Sequence, residues 1–380
     1  MELDAIFTAE QQQLRKEIRT FISQYDGYNY NILENEYNYK KFYKKLGEKG
    51  WLAINWPSQY GGLGKTQIDA AIVTEELGIS NFADRPHNLT IDIAGQFIFQ
   101  EGNNHQKNKY LHEMATGNIF FSILYSEKEA GSDLASLKTK AEYNESTQSF
   151  KIYGTKVYSI HSEHSDYAIC VVRTKESVSK YDGISLFIVP LHDPNVQVKT
   201  ISTISEEEFC EVILEGVKVG FDDLIGNLHQ GWTLLNKALM IERTGLDFNV
   251  KIRKWIYQLE SCIRNSDLTI FKNVNNLQKL EAIKLKARAG QLMAWSIIYQ
   301  NKIHQYDEVS SAMSKLYNSE LSQDMYELML DIKINNTFDH PHALHLLDKI
   351  LSEIPGLTIA AGTSEIMLQI ISASFFDEGM

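Results

Sequence analysis

Cysteine, proline and basic runs are all scarce in this chain of 380 residues, and each shortage excludes something. The 3 cysteines, Cys170, Cys210 and Cys262, are odd in number, widely spaced and form no CxxC pair. That pattern argues against a disulfide framework or a zinc site and makes a reducing cytoplasm the expected compartment. With 6 prolines and 43% hydrophobic residues, the chain has material for a large core and is expected to form two or three packed units rather than a disordered coil. Lysine and arginine number 37 against 49 aspartates and glutamates, a net charge of −12. No clustered cations are available to neutralise phosphates, so neither a nucleic acid nor a membrane surface is an expected partner. Short basic groups such as Lys40-Lys41 and Lys44 read as the solvated face of a helix. No apolar run near the acidic start, Met1-Glu2-Leu3-Asp4, is long enough for export or for spanning a bilayer.

What is present falls into three zones. Residues 1–118 carry helical periodicity: Leu14, Ile18, Phe21 and Ile22 share one face behind a Thr8 cap, and a second helix is expected from Thr66 through Glu76. Residues 119–226 change period. Tyr167 to Arg173, Ile184 to Pro190, Val196 to Ile201 and Cys210 to Val219 are short, β-branched and bounded by Asp, Asn or Gly, the signature of strands in a small barrel or sandwich. Residues 227–380 return to the helical period, roughly over Trp232 to Ile263, Leu277 to Lys302 and Val309 to Ile334, lengths that suit an antiparallel four-helix bundle. The expected architecture is therefore an α+β multidomain chain in the order α, β, α, without tandem repeats.

Particular words stand at the junctions: Trp56-Pro57 to Gly64, Thr74-Glu75-Glu76-Leu77, Gly102 to Gly117, Ser126 to Leu137, Gly154-Thr155-Lys156, Gly183 to Pro190, Phe209-Cys210-Glu211-Val212, Gly226 to Trp232 and Gly362-Thr363-Ser364-Glu365-Ile366. In this order the chain resembles the acyl-CoA dehydrogenase family of flavoproteins over nearly its whole length. Each word alone is weak; nine in register are specific.

The resemblance implies FAD-dependent α,β-dehydrogenation of an acyl thioester. A base removes the acidified α-proton while the β-hydrogen leaves as hydride to flavin N5. In the family the base is a glutamate either immediately before the Gly-Thr of the C-terminal motif or on the first long C-terminal helix, just before an arginine. The first place is Ala361 here, whose methyl accepts no proton; the second is Glu242, directly before Arg243. Desolvation beside a closed thioester would raise the pKa of such a carboxylate into a range useful for a base. The bland alternative for Glu242 is an ordinary helix residue, ion-paired or solvated. Arg243 and Ala361, with Ser132 on the thioester arm, make up the expected substrate contacts.

For the flavin, the resemblance places Ile123, Tyr125 and Ser126 along the isoalloxazine, with the Ser126 hydroxyl in the role of the usual threonine. The bland reading of Glu129 to Asp133 is a polar turn. Where the family has tryptophan and threonine after the Lys156 position, this chain has Tyr158 and Ile160. Tyr158 retains stacking, Ile160 offers only its backbone N–H, and Ser159 or His161 stands near enough to compensate. His161 and His164 lack the company of a metal site, and none is expected. At the adenine and pyrophosphate end, completed in the family by a neighbouring subunit, Phe271 lacks its flanking arginine and glycine, Gln278 is retained with a shift, and no glycine occurs between Gly290 and Gly356. Leu368 stands where an arginine is common. Gly362, Thr363 and Ser364 remain, at an expected helix start suited to anion contact.

Three readings accommodate these losses: an active homodimer or homotetramer, one subunit of a mixed oligomer with a second dehydrogenase-like chain, or a non-catalytic scaffold. Glu242 speaks against the scaffold, and against a flavin oxygenase on the same fold, which generally needs no such base. CoA or a carrier protein as thioester donor, and an electron-transfer flavoprotein or oxygen as acceptor, remain open.

Overall fold

The computed structural model describes residues 6–25, 36–80, 84–205, 209–265, 274–302, 307–335 and 341–377; within these, the side chains of 36–38, 240–242, 263–265, 301–302, 335, 341–342 and 376–377 lie outside the description. The chain divides into two compact units: Met1–Thr74, Phe82–Thr203 and Glu207–Ile241 in the first, and Glu75–Asn81, Ile204–Glu206 and Glu242–Met380 in the second.

The first unit opens with helices. α1 (Ala9–Ser23) begins at a capping box, in which the Thr8 side chain accepts from the Gln11 N–H and the Gln11 side chain reaches back to Thr8, and it buries Ile18, Phe21 and Ile22. α2 (Glu36–Glu48) follows. α3 (Gln67–Ile79) starts where the pattern predicts, with Thr66 and Asp69 exchanging backbone and side-chain bonds across its first turn. Short α4 (Arg85–His87), α5 (Gln96–Glu101), α6 (Asn104–Gln106) and α7 (His112–Ala115) alternate with π-helical turns at Asn88–Gly95 and Lys107–Leu111.

The β part is one eight-stranded sheet. Its strands are β1 (Phe121–Leu124), β2 (Lys140–Asn144), β3 (Ser149–Ile160), β4 (Tyr167–Arg173), β5 (Ile184–Pro190), β6 (Val196–Ile201), β7 (Phe209–Val219) and β8 (Leu224–Ile225). Their order is β6-β7-β3-β2-β4-β5-β8, with β1 parallel to β4 off this path. The apolar residues of these strands, among them Phe150, Ile152, Cys170, Phe187, Val212 and Val217, make one core. Hence three of the four strands expected from composition carry the same bounds in the structure, and the fourth starts one residue earlier.

One helix expectation is corrected. The periodicity predicts a continuous helix over Trp232 to Ile263, but the structure ends α8 at Gly231–Glu242 and starts α9 at Leu246–Asn265. Gly245 turns the chain with φ +78°, and a Cβ there would meet the Ser314 carbonyl oxygen at 2.9 Å. Periodicity persists through such a break because both helices bury apolar faces, so the pattern alone does not reveal it.

The second unit is helical: α9, α10 (Val274–Lys302), α11 (Glu308–Asn335), α12 (Pro341–Leu357) and α13 (Ser364–Asp377). α11 packs against the other four. Ile252, Trp255, Ile283, Met325, Met329, Ile350 and Ile354 belong to its core. A buried polar link adds register: the Asn249 amide donates to Ala287 O at 2.8 Å and to Asn318 Oδ1 at 2.9 Å, while the Asn318 amide donates to Gly290 O at 3.2 Å. No described helix is long and apolar enough to cross a membrane, and no cluster of His, Cys, Asp or Glu suited to a metal ion occurs among the described residues.

Candidate functional site

In the first unit the sequence-predicted flavin residues come together at one end of the sheet. β1 delivers Ile123 and runs directly into Tyr125 and Ser126. The neighbouring strand is irregular at the matching place: pairing of β3 with β7 jumps from Lys156↔Val212 to Ser159↔Cys210, so Val157 and Tyr158 bulge out of the ladder. The freed Val157 N–H donates to Ser126 O at 2.9 Å. Tyr158 takes φ +59°, an unusual cost for a bulky residue, and is 61% exposed. An exposed aromatic beside a backbone segment that turns away from its sheet fits a planar ring system such as isoalloxazine.

The serines of this region divide. Ser126 is half-buried, whereas Ser159 is buried, donates to Cys210 O at 3.2 Å and accepts from Ser162 Oγ at 2.8 Å. The Ser159 side chain therefore belongs to the sheet interior and leaves compensation for the missing threonine to backbone groups. Ile160 is half-buried at the strand end. His161 follows in the left-handed region and shares a 3.0 Å hydrogen bond with the Tyr39 hydroxyl.

Beneath this face lies a charge pair that residue spacing does not announce. Lys156 is fully buried, and its Nζ donates to Tyr125 O at 3.0 Å and to Glu127 Oε1 at 2.8 Å. Glu127 also accepts the N–H of Lys138 at 2.7 Å and of Thr139 at 2.9 Å. Burial by itself would raise the Glu127 carboxyl, but the Lys156 charge and these bonds outweigh it and hold the group below its ordinary value. The loop between these anchors carries exposed Ser132. Its neighbour Asp133 pairs with Lys180 at 2.8 Å on the surface, and Arg173 donates to Ala135 O at 2.7 Å.

The second unit holds the remaining residues. Glu242 is the last residue of α8, and its side chain lies outside the described residues. Arg243 is buried and its Nε donates to Ala361 O at 3.3 Å. Ala361 and Gly362 both turn with positive φ, +57° and +96°. Fully buried Lys315 donates to Gly362 O at 2.7 Å and lies 5.1 Å from the Phe248 ring centroid. Two cations thus hold consecutive carbonyls of the turn that starts α13. At that helix start the Ser364 hydroxyl donates to the Glu320 carboxylate, and Glu365 is held below its ordinary pKa by its own N–H and the Thr363 hydroxyl. Protein carboxylates already serve these two hydroxyls, which changes the expected anion contact there. Gln278 is exposed on α10, as is Leu368 on α13, and Phe271 lies outside the described residues.

Family models place all of this in one frame. The N-terminal, middle and C-terminal domain models of acyl-CoA dehydrogenase match residues 8–118, 122–217 and 229–376. The chain belongs to the acyl-CoA dehydrogenase family. It is 26% identical to the acyl-CoA dehydrogenase FadE26 of Mycobacterium tuberculosis over 349 residues, covering 86% of this chain and 85% of that protein. Among solved structures it resembles the ChsE4-ChsE5 complex from Mycobacterium tuberculosis, with TM-score 0.85, 25% identity and 99% coverage of each chain. The prolyl acyl carrier protein oxidase AnaB shares the fold at TM-score 0.81 and 21% identity, over 97% of this chain and 99% of that one.

Members of the acyl-CoA dehydrogenase family are flavin oxidoreductases acting on CH–CH bonds, and the N-terminal helices, central sheet and C-terminal helices of this chain are that fold. Lys156 and Glu127 stand inside family words that gave them no role, and Lys315 lies outside those words. A lysine inside an apolar strand and another inside a buried helix were the available signals, but neither names its partner.

Proposed function

We propose that this chain catalyses FAD-dependent α,β-dehydrogenation of an acyl thioester, with Glu242 removing the α-proton. The observation that carries the reading is the flavin-suited face of half-buried Ser126, at the end of β1, and the outward-turned Tyr158. It is joined by the sequence fact that Ala361 leaves Glu242 as the carboxylate of the family's two base positions. Bound FAD supplies the two-electron acceptor for the β-hydride. Ile123, Tyr125, Ser126 and the Ile160 backbone line its ring system, Tyr158 stacks on it, and Ser132 contacts the thioester arm. Arg243, by holding Ala361 O, steadies the turn behind the acyl group. A thioester is required because its carbonyl acidifies the α-position; both a CoA ester and a carrier-protein ester meet that requirement, and AnaB is a precedent for the latter on this fold.

A second reading has its own support. Phe271 without its arginine, the absence of glycine between Gly290 and Gly356, and carboxylates at Ser364 and Thr363 weaken the adenine and pyrophosphate end. A partner chain of the same family would complete it, and the relative ChsE4-ChsE5 is a complex of two chains. Exposed Leu285 and Leu292 on α10 and Leu368 and Phe375 on α13 supply apolar surface for either kind of association.

The deciding experiment is the visible spectrum and solution mass of the purified chain before and after excess FAD. One flavin per subunit in a homo-oligomer supports the self-sufficient enzyme and leads to a screen of acyl thioesters with Glu242→Gln as control. A colourless protein that takes up no FAD defeats that reading in favour of a partner-dependent subunit or a non-catalytic scaffold, and FAD uptake on co-expression with a second family member separates these two.

A further inference from the structure

A fully buried ammonium is costly to desolvate unless its hydrogen bonds and a counter-charge are built around it. Lys156 meets both requirements through Tyr125 O at 3.0 Å and Glu127 Oε1 at 2.8 Å. What distinguishes the pair is where its partners sit. Tyr125 and Glu127 flank Ser126, while the two N–H groups that Glu127 accepts, of Lys138 and Thr139, close the far end of the same loop. From the next residue of the strand, Val157 N–H takes Ser126 O at 2.9 Å, and Tyr158 then turns outward. Three consecutive residues, 125 to 127, are therefore fixed from beneath by two consecutive residues of β3, and the third of that series is the exposed aromatic.

We propose that Lys156 is a positioning residue for the flavin: through Glu127 and the Tyr125 carbonyl it sets the path of residues 125–127, so that half-buried Ser126 and the exposed Tyr158 ring are presented together to the cofactor. This rests on the flavin reading above. Generic structural support makes a different demand. A buried ion pair serving stability alone is replaceable by uncharged groups with little loss, because the desolvation of two charges disappears with their attraction. An uncharged replacement does not, however, hold a carbonyl in a chosen direction. The surface pair Lys180–Asp133 near the loop tip, 45% and 54% exposed, is the natural control, since it touches the same loop without reaching residues 125–127.

The test uses the full chain and two readouts, amide hydrogen exchange without added ligand and FAD titration by flavin fluorescence. The double variant Lys156→Met/Glu127→Gln removes both charges and keeps one side-chain carbonyl, which serves one of the Lys138 and Thr139 N–H groups that the two carboxylate oxygens accept in the wild type. The expected result is a melting temperature within a few degrees of wild type, exchange at residues 125–127 and 138–139 at least tenfold faster, and FAD binding at least tenfold weaker; Lys180→Met changes neither by more than twofold. Unchanged exchange in the double variant overturns the clamp. Faster exchange with FAD affinity within twofold of wild type overturns its cofactor role. Should the double variant fail to fold, Glu127→Asp, which keeps the charge and draws the carboxylate back by one methylene, is expected to shift both readouts three- to tenfold, and no shift in either overturns the proposal. A wild-type chain that takes up no FAD counts against the reading of the preceding subsection instead, and the exchange measurements still decide the clamp by themselves.

Discussion

Two lysines buried to 0% exposure, Lys156 in the sheet and Lys315 in the helical unit, each donate to a backbone carbonyl beside a residue of the cofactor motif, yet their surroundings differ. Lys156 contacts a buried carboxylate; Lys315 lies over the Phe248 ring and reaches Gly362 O. A carboxylate partner accepts further bonds of its own, and Glu127 uses them to tie Lys138 and Thr139 into the same knot. At Lys315 the aromatic face adds a cation–π attraction, and the Lys315 charge also acts on Glu365 in the first turn of α13. The sheet pair therefore reaches both ends of one loop, while Lys315 and Arg243 act on consecutive carbonyls of the turn before α13. Under the proposed function, the division assigns the flavin contacts to the sheet, and the base and the Ala361 turn to the helical unit.

The division breaks first at Glu242. Replacement by Gln is expected to lower turnover by about 10²–10⁴-fold, the usual worth of a positioned general base, with flavin absorbance retained. Steady-state dehydrogenation with an artificial electron acceptor measures it, and substantial residual activity would remove Glu242 from its role. Lys156→Met alone leaves Glu127 buried without its counter-charge and should cost on the order of 3–5 kcal/mol in urea unfolding, more than the double variant. Lys315→Met, which orphans the Gly362 carbonyl, is expected to cost about 1–3 kcal/mol and to leave FAD affinity nearer wild type than Lys156→Met does. Equal effects of the two on FAD would erase the contrast between the lysines.

Acid provides a gentler probe. The folded Glu127 carboxyl titrates below its ordinary value of 4.5, so the pair's contribution is complete above pH 4.5 and is lost as pH falls through the lower folded value. Protection of the 138–139 amides, taken as exchange relative to the intrinsic rate at each pH, should therefore stay constant across the neutral range and fall only below that point; a fall already near pH 6 would contradict the assignment. The smallest effect is a gain. Ile160→Thr restores the hydroxyl that the family usually places at the flavin, and FAD binding is expected to tighten two- to fivefold, of the order of a single neutral hydrogen bond, about 0.5–1 kcal/mol.

Much of the fold was legible because its signals are local. The Thr8 cap, the Thr66 start of α3 and the short, β-branched run of Ile184 to Pro190 each depend on neighbours within a few residues. The break between α8 and α9 was not, because Gly245 is required there by the approach of Ser314, 69 positions further along. The candidate site divides in the same way. Tyr158, Ile160, Glu242 and Ala361 were readable from family words, since each word has a place and each departure has a chemical meaning. The inward course of Ser159 depends on Cys210 and Ser162, and the carboxylate on Ser364 comes from Glu320 on another helix.

By itself, then, the sequence determined the helical, sheet and helical order, the family, and which side chain of the two possible base positions is able to take a proton. Those properties reside in residue type and near-neighbour pattern. Only the tertiary structure decided that Lys156 lies beneath the Tyr125 to Glu127 segment, that Tyr158 turns outward at a bulge, and that Arg243 and Lys315 grip consecutive carbonyls before α13. Each of these joins groups 29 or more positions apart, and a buried charge finds its partner only when packing has removed the water that would otherwise serve it.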